Sequence, residues 1–197
     1  SIIDKSSLDE GYLKKIDGEF LFILINKKNK TLELANDRYS SFSMFYFFKD
    51  NKVVLSHAYI DILEKISRFG TVHLKGDVLF EYLWFRRVFD DRTYDKYSRY
   101  LKPARVIRFY FNKEIESKYW NPQYVKNSNS LEANSNILRD LLINSLDKKL
   151  SDVSDKKVGL FLSGGMDTRT VLSLFDKCSN NIHPHCFTIG YSESGEY

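Results

Sequence analysis

Ser163-Gly164-Gly165-Met166-Asp167-Thr168 gathers two glycines, a carboxylate and two hydroxyls at one point of the chain. Two glycines let the backbone turn tightly and aim several N–H groups at one place, which makes a nest for an anion. Ser163 and Thr168 can donate hydroxyl hydrogen bonds to phosphate oxygens. Asp167 would repel a phosphate unless Mg2+ stood between them, and Mg2+ binds in that way, through a carboxylate plus substrate phosphates. The stretch lacks the Lys and the longer glycine spacing of a Walker loop, and it does not match the dinucleotide-binding fingerprint. A reading without any ligand is a left-handed turn followed by an Asp helix cap.

The flanking residues say where this stretch must stand. Val158, Leu160, Phe161 and Leu162 form an apolar run that predicts a buried strand over 157–162. Val171, Leu172 and Phe175 recur at helical spacing and predict a helix over 167–177. The glycine turn therefore lies at the carboxyl end of a strand, where open α/β sheets bind ligands. Arg169 falls in the first turn of that helix, on the face of Ser173 and Asp176. It is either a solvated side chain or a planar fork leaning toward an anion.

Around this centre the chain reads as two parts. Residues 19–26, 31–36, 44–49 and 52–57 are β-rich runs separated by Lys, Asn and Asp clusters, the pattern of antiparallel hairpins. Helices are predicted over 58–66 and 76–89, and one more hairpin over 105–111 and 114–120, turning at Asn112-Lys113. Residues 121–136 are rich in Asn and Ser and read as a linker into an amphipathic helix over 137–150. After the glycine turn and its helix comes a strand over 185–190. The order predicts an α+β antiparallel domain over 1–125 and the start of an α/β domain over 126–197. Only two parallel strands are available, so their outer edges are expected to be uncovered and the α/β sheet incomplete.

Composition removes several function classes. The 197 residues carry 30 Lys and Arg against 26 Asp and Glu, a net charge of +4 with the signs interspersed. That balance, without a basic aromatic platform, gives no reason to expect nucleic acid. No apolar run approaches a membrane span. Two cysteines, Cys178 and Cys186, suit a reducing cytoplasm and read as small buried hydrophobes. His183 and His185 flank Pro184 with no third ligand nearby, and read as loop and strand-edge residues. Trp84 and Trp120 read as core aromatics.

Ser163-Gly164-Gly165-x-Asp167-Thr168 after a strand resembles the signature of the PP-loop ATP pyrophosphatases (the adenine nucleotide alpha hydrolase-like fold). The rest of the chain narrows this to the asparagine synthetase (glutamine-hydrolysing) family. Gly18, Phe20 and Phe22, then Asp37-Arg38, Phe45-Tyr46 and Ser56, resemble the back half of its N-terminal nucleophile hydrolase-like glutaminase domain. Thr93, Leu101-Lys102-Pro103 and Tyr119-Trp120 resemble its interdomain segment, and residues 185–190 the second strand of its synthetase domain.

The resemblance implies an amidotransferase. It adenylylates an acceptor carboxylate, aspartate in the first instance, with ATP and Mg2+, and then amidates it with ammonia from glutamine. By the same resemblance, Leu162, Ser163, Gly164, Gly165, Met166, Asp167, Thr168, Ile189 and Gly190 would bind ATP and pyrophosphate, with Asp167 on the metal. The partners implied are small molecules, in a cytoplasmic protein whose full-length form is compatible with a homodimer. The family's nucleophilic Cys lies on a strand upstream of the segment that Gly18 opens, so no residue here is assigned that role and Ser1 reads as a cut end. His57 stands where the family usually has Glu, and Arg169 where it usually has a small residue. Two other readings remain at this stage: a homologue without glutaminase chemistry, and another PP-loop enzyme with a different acceptor.

Overall fold

The computed structural model describes residues 7–70, 72–151, 153, 157–178 and 182–190. It divides into two units, residues 1–124 and 125–197. In chain order the first holds α1 (Glu10–Leu13), β1 (Leu21–Asn26), β2 (Thr31–Asn36), β3 (Phe45–Lys49), β4 (Lys52–Ser56), α2 (Tyr59–Ser67), α3 (Gly76–Phe85), β5 (Ser98–Tyr100), β6 (Arg105–Tyr110) and β7 (Lys113–Lys118). The second holds α4 (Leu131–Ser151), β8 (Gly159–Phe161), α5 (Met166–Phe175) and β9 (His185–Phe187).

Side-chain alternation builds the first unit. Antiparallel strands form one sheet in the order β1-β2-β6-β7 and another in the order β4-β3-β5. Along β2 and β6, Leu34, Ile107 and Phe109 point to one side and meet Tyr46 of the second sheet and Met44 just before it. Ala35 and Val106 point to the other side and meet Leu8, Leu13 and Phe20. The far face of the second sheet sets Phe47 against Ile62 and Ile66 of α2. The result is four layers: α1, sheet, sheet, α2.

Connections follow from turn chemistry. Asp50 and Asn51 both take positive φ, 50° and 60°, as a two-residue turn between paired Lys49 and Lys52 requires. Asp37 accepts from the N–H groups of Phe20, Tyr39 and Ser41, which closes the turn after β2. Asn36 donates to Lys102 O at 3.0 Å and accepts from Arg105 N at 3.1 Å, fastening that turn to the 101–105 segment. Tyr119 donates to Asn36 O at 2.6 Å. Burial, reinforced by Asp37 and partly offset by Arg38, pushes its phenol up to about 12. These bonds give Asp37, Lys102 and Tyr119 structural work. Ser56 likewise accepts Ala58 N at 3.1 Å at the start of α2 and donates to Asp61 at 2.7 Å.

Several expectations are corrected. The 76–89 helix stops at Phe85, because Arg86 takes a left-handed conformation at φ 56°. The last hairpin turns at Phe111-Asn112, since Tyr110 pairs with Lys113. The last six residues of the expected linker are helix: α4 begins at Leu131, where Ser130 Oγ accepts Ala133 N at 3.1 Å, so that serine is a helix cap. β5 was not foreseen; three residues ending a polar loop carry no alternation to read. Trp84 is 69% exposed rather than core, and Cys186 is exposed, while Trp120 packs partly buried beside the first core.

In the second unit β8 and β9 pair in parallel, with Gly159, Leu160 and Phe161 opposite His185, Cys186 and Phe187. Leu150, Phe175 and Cys178 form its core with Val158, Leu160 and Val171 against it. Burial raises the Cys178 thiol above its ordinary range, and the thiol donates to Leu174 O at 3.3 Å. The apolar face read over 137–150 is largely open: Ile137, Leu138 and Leu141 are exposed and Leu150 is buried.

Candidate functional site

The carboxyl ends of β8 and β9 are laced together. Leu162 N donates to Phe187 O at 2.8 Å, and Thr188 Oγ1 donates to Leu162 O at 2.9 Å. The chain then turns through Ser163, Gly164 and Gly165 into α5. Gly165 is the N-cap, at φ −70° and ψ 154°, and no side chain caps the helix. The N–H groups of a helix's first turn have no partner within the helix, and together with the dipole they favour an anion.

Thr168 holds the loop. Its hydroxyl donates to Ser163 O at 2.9 Å and lies 3.2 Å from Gly165 O. Ser163 Oγ accepts from Gly165 N at 3.4 Å and stands 3.3 Å from Thr168 Oγ1. With the Thr168 proton committed to the main chain, the exposed Ser163 hydroxyl is the one left to donate outward.

The loop opens on a cavity of about 580 Å³, within the range of small-molecule sites. Leu162, Ser163, Gly164 and Gly165 line it from the loop, Arg169 from α5, and Thr188 and Ile189 from the end of β9. Met166, Asp167, Thr168 and Gly190 are not among its lining residues. Thr188 is the residue that sequence reading missed; a hydroxyl directly after the predicted strand core, facing the next strand's end, was the available signal.

Among the described glycines only Gly18 and Gly70 have positive φ, so the left-handed turn is not formed here. Asp167 is not the cap either; it is the second residue of α5. At Gly164 an added Cβ would meet nothing within 4 Å, although the residue lines the cavity. Its bareness keeps the backbone approachable rather than permitting a special dihedral.

Arg169 N donates to Gly165 O at 3.4 Å, and its side chain reaches the cavity without an ion pair among the described residues. A cation in the first turn is disfavoured by the helix dipole by about 0.3–1 kcal/mol. Among the described residues no three His, Cys, Asp or Glu side chains gather as a metal cluster, and His183 and His185 stand as loop and strand residues. No helix among them is long and apolar enough to cross a membrane.

Two parallel strands, a glycine turn and a helix without a side-chain cap, facing one cavity, make an α/β unit with a small-molecule-sized opening at its strand ends. Comparison with known proteins shows what the chain is similar to. The asparagine synthase family model matches residues 137–197. Over 94% of its length the chain is 22% identical to a probable glutamine-hydrolyzing asparagine synthetase of Acanthamoeba polyphaga mimivirus, covering 32% of that protein. It is 26% identical, over 95% of its length, to glutamine-hydrolyzing asparagine synthetase 3 of Bacillus subtilis strain 168, covering 31% of it. It is 25% identical, over 94%, to putative asparagine synthetase 2 of Methanocaldococcus jannaschii, covering 36%. The chain is thus similar to the asparagine synthetase family along nearly its whole length, and it spans about a third of the length of these relatives.

Proposed function

We propose that the second unit binds ATP with Mg2+ at the 163–168 loop, and that the protein uses it to adenylylate an acceptor carboxylate, aspartate, which ammonia from glutamine then amidates. The observation that carries the reading is the uncapped start of α5, facing a cavity lined by bare Gly164, the Ser163 hydroxyl and Arg169. In it, the first N–H groups of α5, from Met166 to Thr168, and the Ser163 hydroxyl hold pyrophosphate oxygens. Main chain at Leu162, Ile189 and Gly190 contacts the nucleotide, and Arg169 takes an anionic oxygen of acceptor or pyrophosphate.

Asp167 fits the metal by the chemistry of the donor set. It is an exposed carboxylate in the first turn of α5, and Mg2+ needs only one or two carboxylates when phosphates and water supply the rest. Bound there, Mg2+ would neutralise charge building on the leaving pyrophosphate. Thr168 keeps the loop in shape, and Arg169 orients what approaches it.

The first unit is read as part of a glutaminase-type domain, supported by its helix, sheet, sheet, helix layering and the family resemblance. The protein is read as cytoplasmic, with small-molecule partners and a homodimeric full-length form. The test is the full-length protein with ATP, Mg2+ and aspartate. With ammonium supplied, AMP, pyrophosphate and asparagine should appear in equal amounts, and all three should depend on aspartate. Pyrophosphate release indifferent to aspartate would point to another acceptor.

A further inference from the structure

Away from the loop, the first unit holds a cavity of about 350 Å³ walled by aromatic rings. Tyr100 and Phe45 lie 5.4 Å apart, Phe45 and Tyr59 5.4 Å, Tyr59 and Tyr94 5.8 Å, and Tyr94 and Tyr82 5.8 Å. All five rings line the same space, so its wall is a continuous aromatic ladder built from β3, α2, α3 and the 93–100 segment. Two of the hydroxyls are committed elsewhere, Tyr59 to Asp95 at 2.9 Å and Tyr100 to Ser40 at 3.1 Å. These bonds fix their rings.

The rim is the segment after α3, and it is tethered. Glu81 accepts Phe89 N at 2.6 Å and pairs with Arg92, which also reaches Asp77 at 3.4 Å. Asp90 pairs with Lys102 at 3.3 Å. Arg92 and Asp90 both line the cavity, but each is neutralised by these partners. Arg87 also lines it and makes no ion pair among the described residues; its guanidinium is set over the Phe89 ring at 4.3 Å. The rim thus presents one uncompensated, pre-oriented cation above a wall of rings. A planar guanidinium recognises a carboxylate by two parallel hydrogen bonds.

We propose that this cavity is a binding site for a small aromatic carboxylate, its ring packed among Tyr59, Tyr82 and Tyr94 and its carboxylate on Arg87. The volume suits a single ring with a short side chain. An aliphatic acid would forgo the ring contacts, and an aromatic amine would meet Arg87 with the wrong charge.

Phenylacetate is the probe, titrated against the protein and followed by ligand-observed NMR and by the chemical shifts of the Tyr rings. Saturable binding is expected, weakened about ten-fold or more in Arg87→Ala, as loss of a hydrogen bond to a charged group implies. Phenylacetamide, with the same ring and no charge, should bind correspondingly weakly to the unaltered protein. Arg87 is exposed, so its removal should leave the melting temperature in place. Tyr94→Leu, which keeps bulk but removes the ring, should weaken binding further, and added ATP should not displace the probe. No binding at millimolar phenylacetate, equal binding of the amide, or an unchanged affinity in Arg87→Ala would each overturn the proposal.

Discussion

Thr188 donates its hydroxyl to Leu162 O at 2.9 Å, and together with the main-chain bond from Leu162 N to Phe187 O it fastens the end of β9 to the residue from which the glycine loop departs. Both strand ends thereby face one cavity, and the loop inherits its position from a contact made 26 residues away in sequence.

Thr188→Val keeps the shape of the side chain and removes the bond. Stability should fall by about 1 kcal/mol, the net worth of one hydrogen bond, and ATP should bind several-fold more weakly because the loop loses its anchor. Thermal melts with and without ATP measure both. Unchanged melting and unchanged ATP affinity would show that the strand pairing alone sets the loop.

Arg169→Ala separates the two readings of that residue. If Arg169 takes an anion, affinity for pyrophosphate or acceptor should drop by about 1.5–3 kcal/mol, the worth of a charged hydrogen bond. Stability should hold or rise slightly, since a cation leaves the positive end of a helix. Unaltered binding constants would return Arg169 to the solvated surface.

Asp95 predicts an acid-sensitive first unit. Burial works against its charge, but bonds from Ser98, from the N–H groups of Ser98 and Tyr97 and from Tyr59 outweigh it, holding its carboxyl below the ordinary range. A depressed folded value stabilises above the unfolded pKa, about 3.9, and that stabilisation is lost as pH falls through the folded value. Asp95→Asn should therefore cost stability at pH 7, by about 2–4 kcal/mol on the scale of a broken buried charged network. The gap from the unaltered protein should narrow toward pH 3. A gap that is constant with pH would mean that the loss is one of shape and not of charge.

How much of this was legible can be read from particular elements. The hairpin strands and α2 stood in the alternation and turn residues, because half-buried sheets impose period two on the sequence. The 163–168 loop stood out because its residue types serve no core. Illegible were the features fixed by distant partners: β5, which exists because β3 needs a neighbour, and Thr188, whose role depends on strand pairing. Trp84 misled because an aromatic at helical spacing predicts a core only where something covers it, and the described residues leave α3's Phe80, Leu83 and Trp84 exposed.

Asp167→Asn keeps size and removes the charge that Mg2+ would need. In the full-length protein, pyrophosphate release should fall by about two orders of magnitude or more, the scale of a lost electrostatic stabiliser, while the melting temperature barely moves. Collapse of the fold with normal activity per folded molecule would make Asp167 a structural residue of α5.

Gly164 offers the most direct test of nucleotide binding at the loop. A Cβ there meets nothing within 4 Å and the backbone is not left-handed, so Gly164→Ala and Gly164→Leu should fold with stability equal to or above the parent's. If phosphates approach the bare backbone at this point, each added carbon stands in their way. Equilibrium titration of ATP with Mg2+ should then show affinity falling from Gly to Ala to Leu, by about ten-fold or more for Leu, as close backbone approach to a ligand demands. Equal ATP affinity across the three folded proteins would contradict the claim that the 163–168 loop holds the nucleotide.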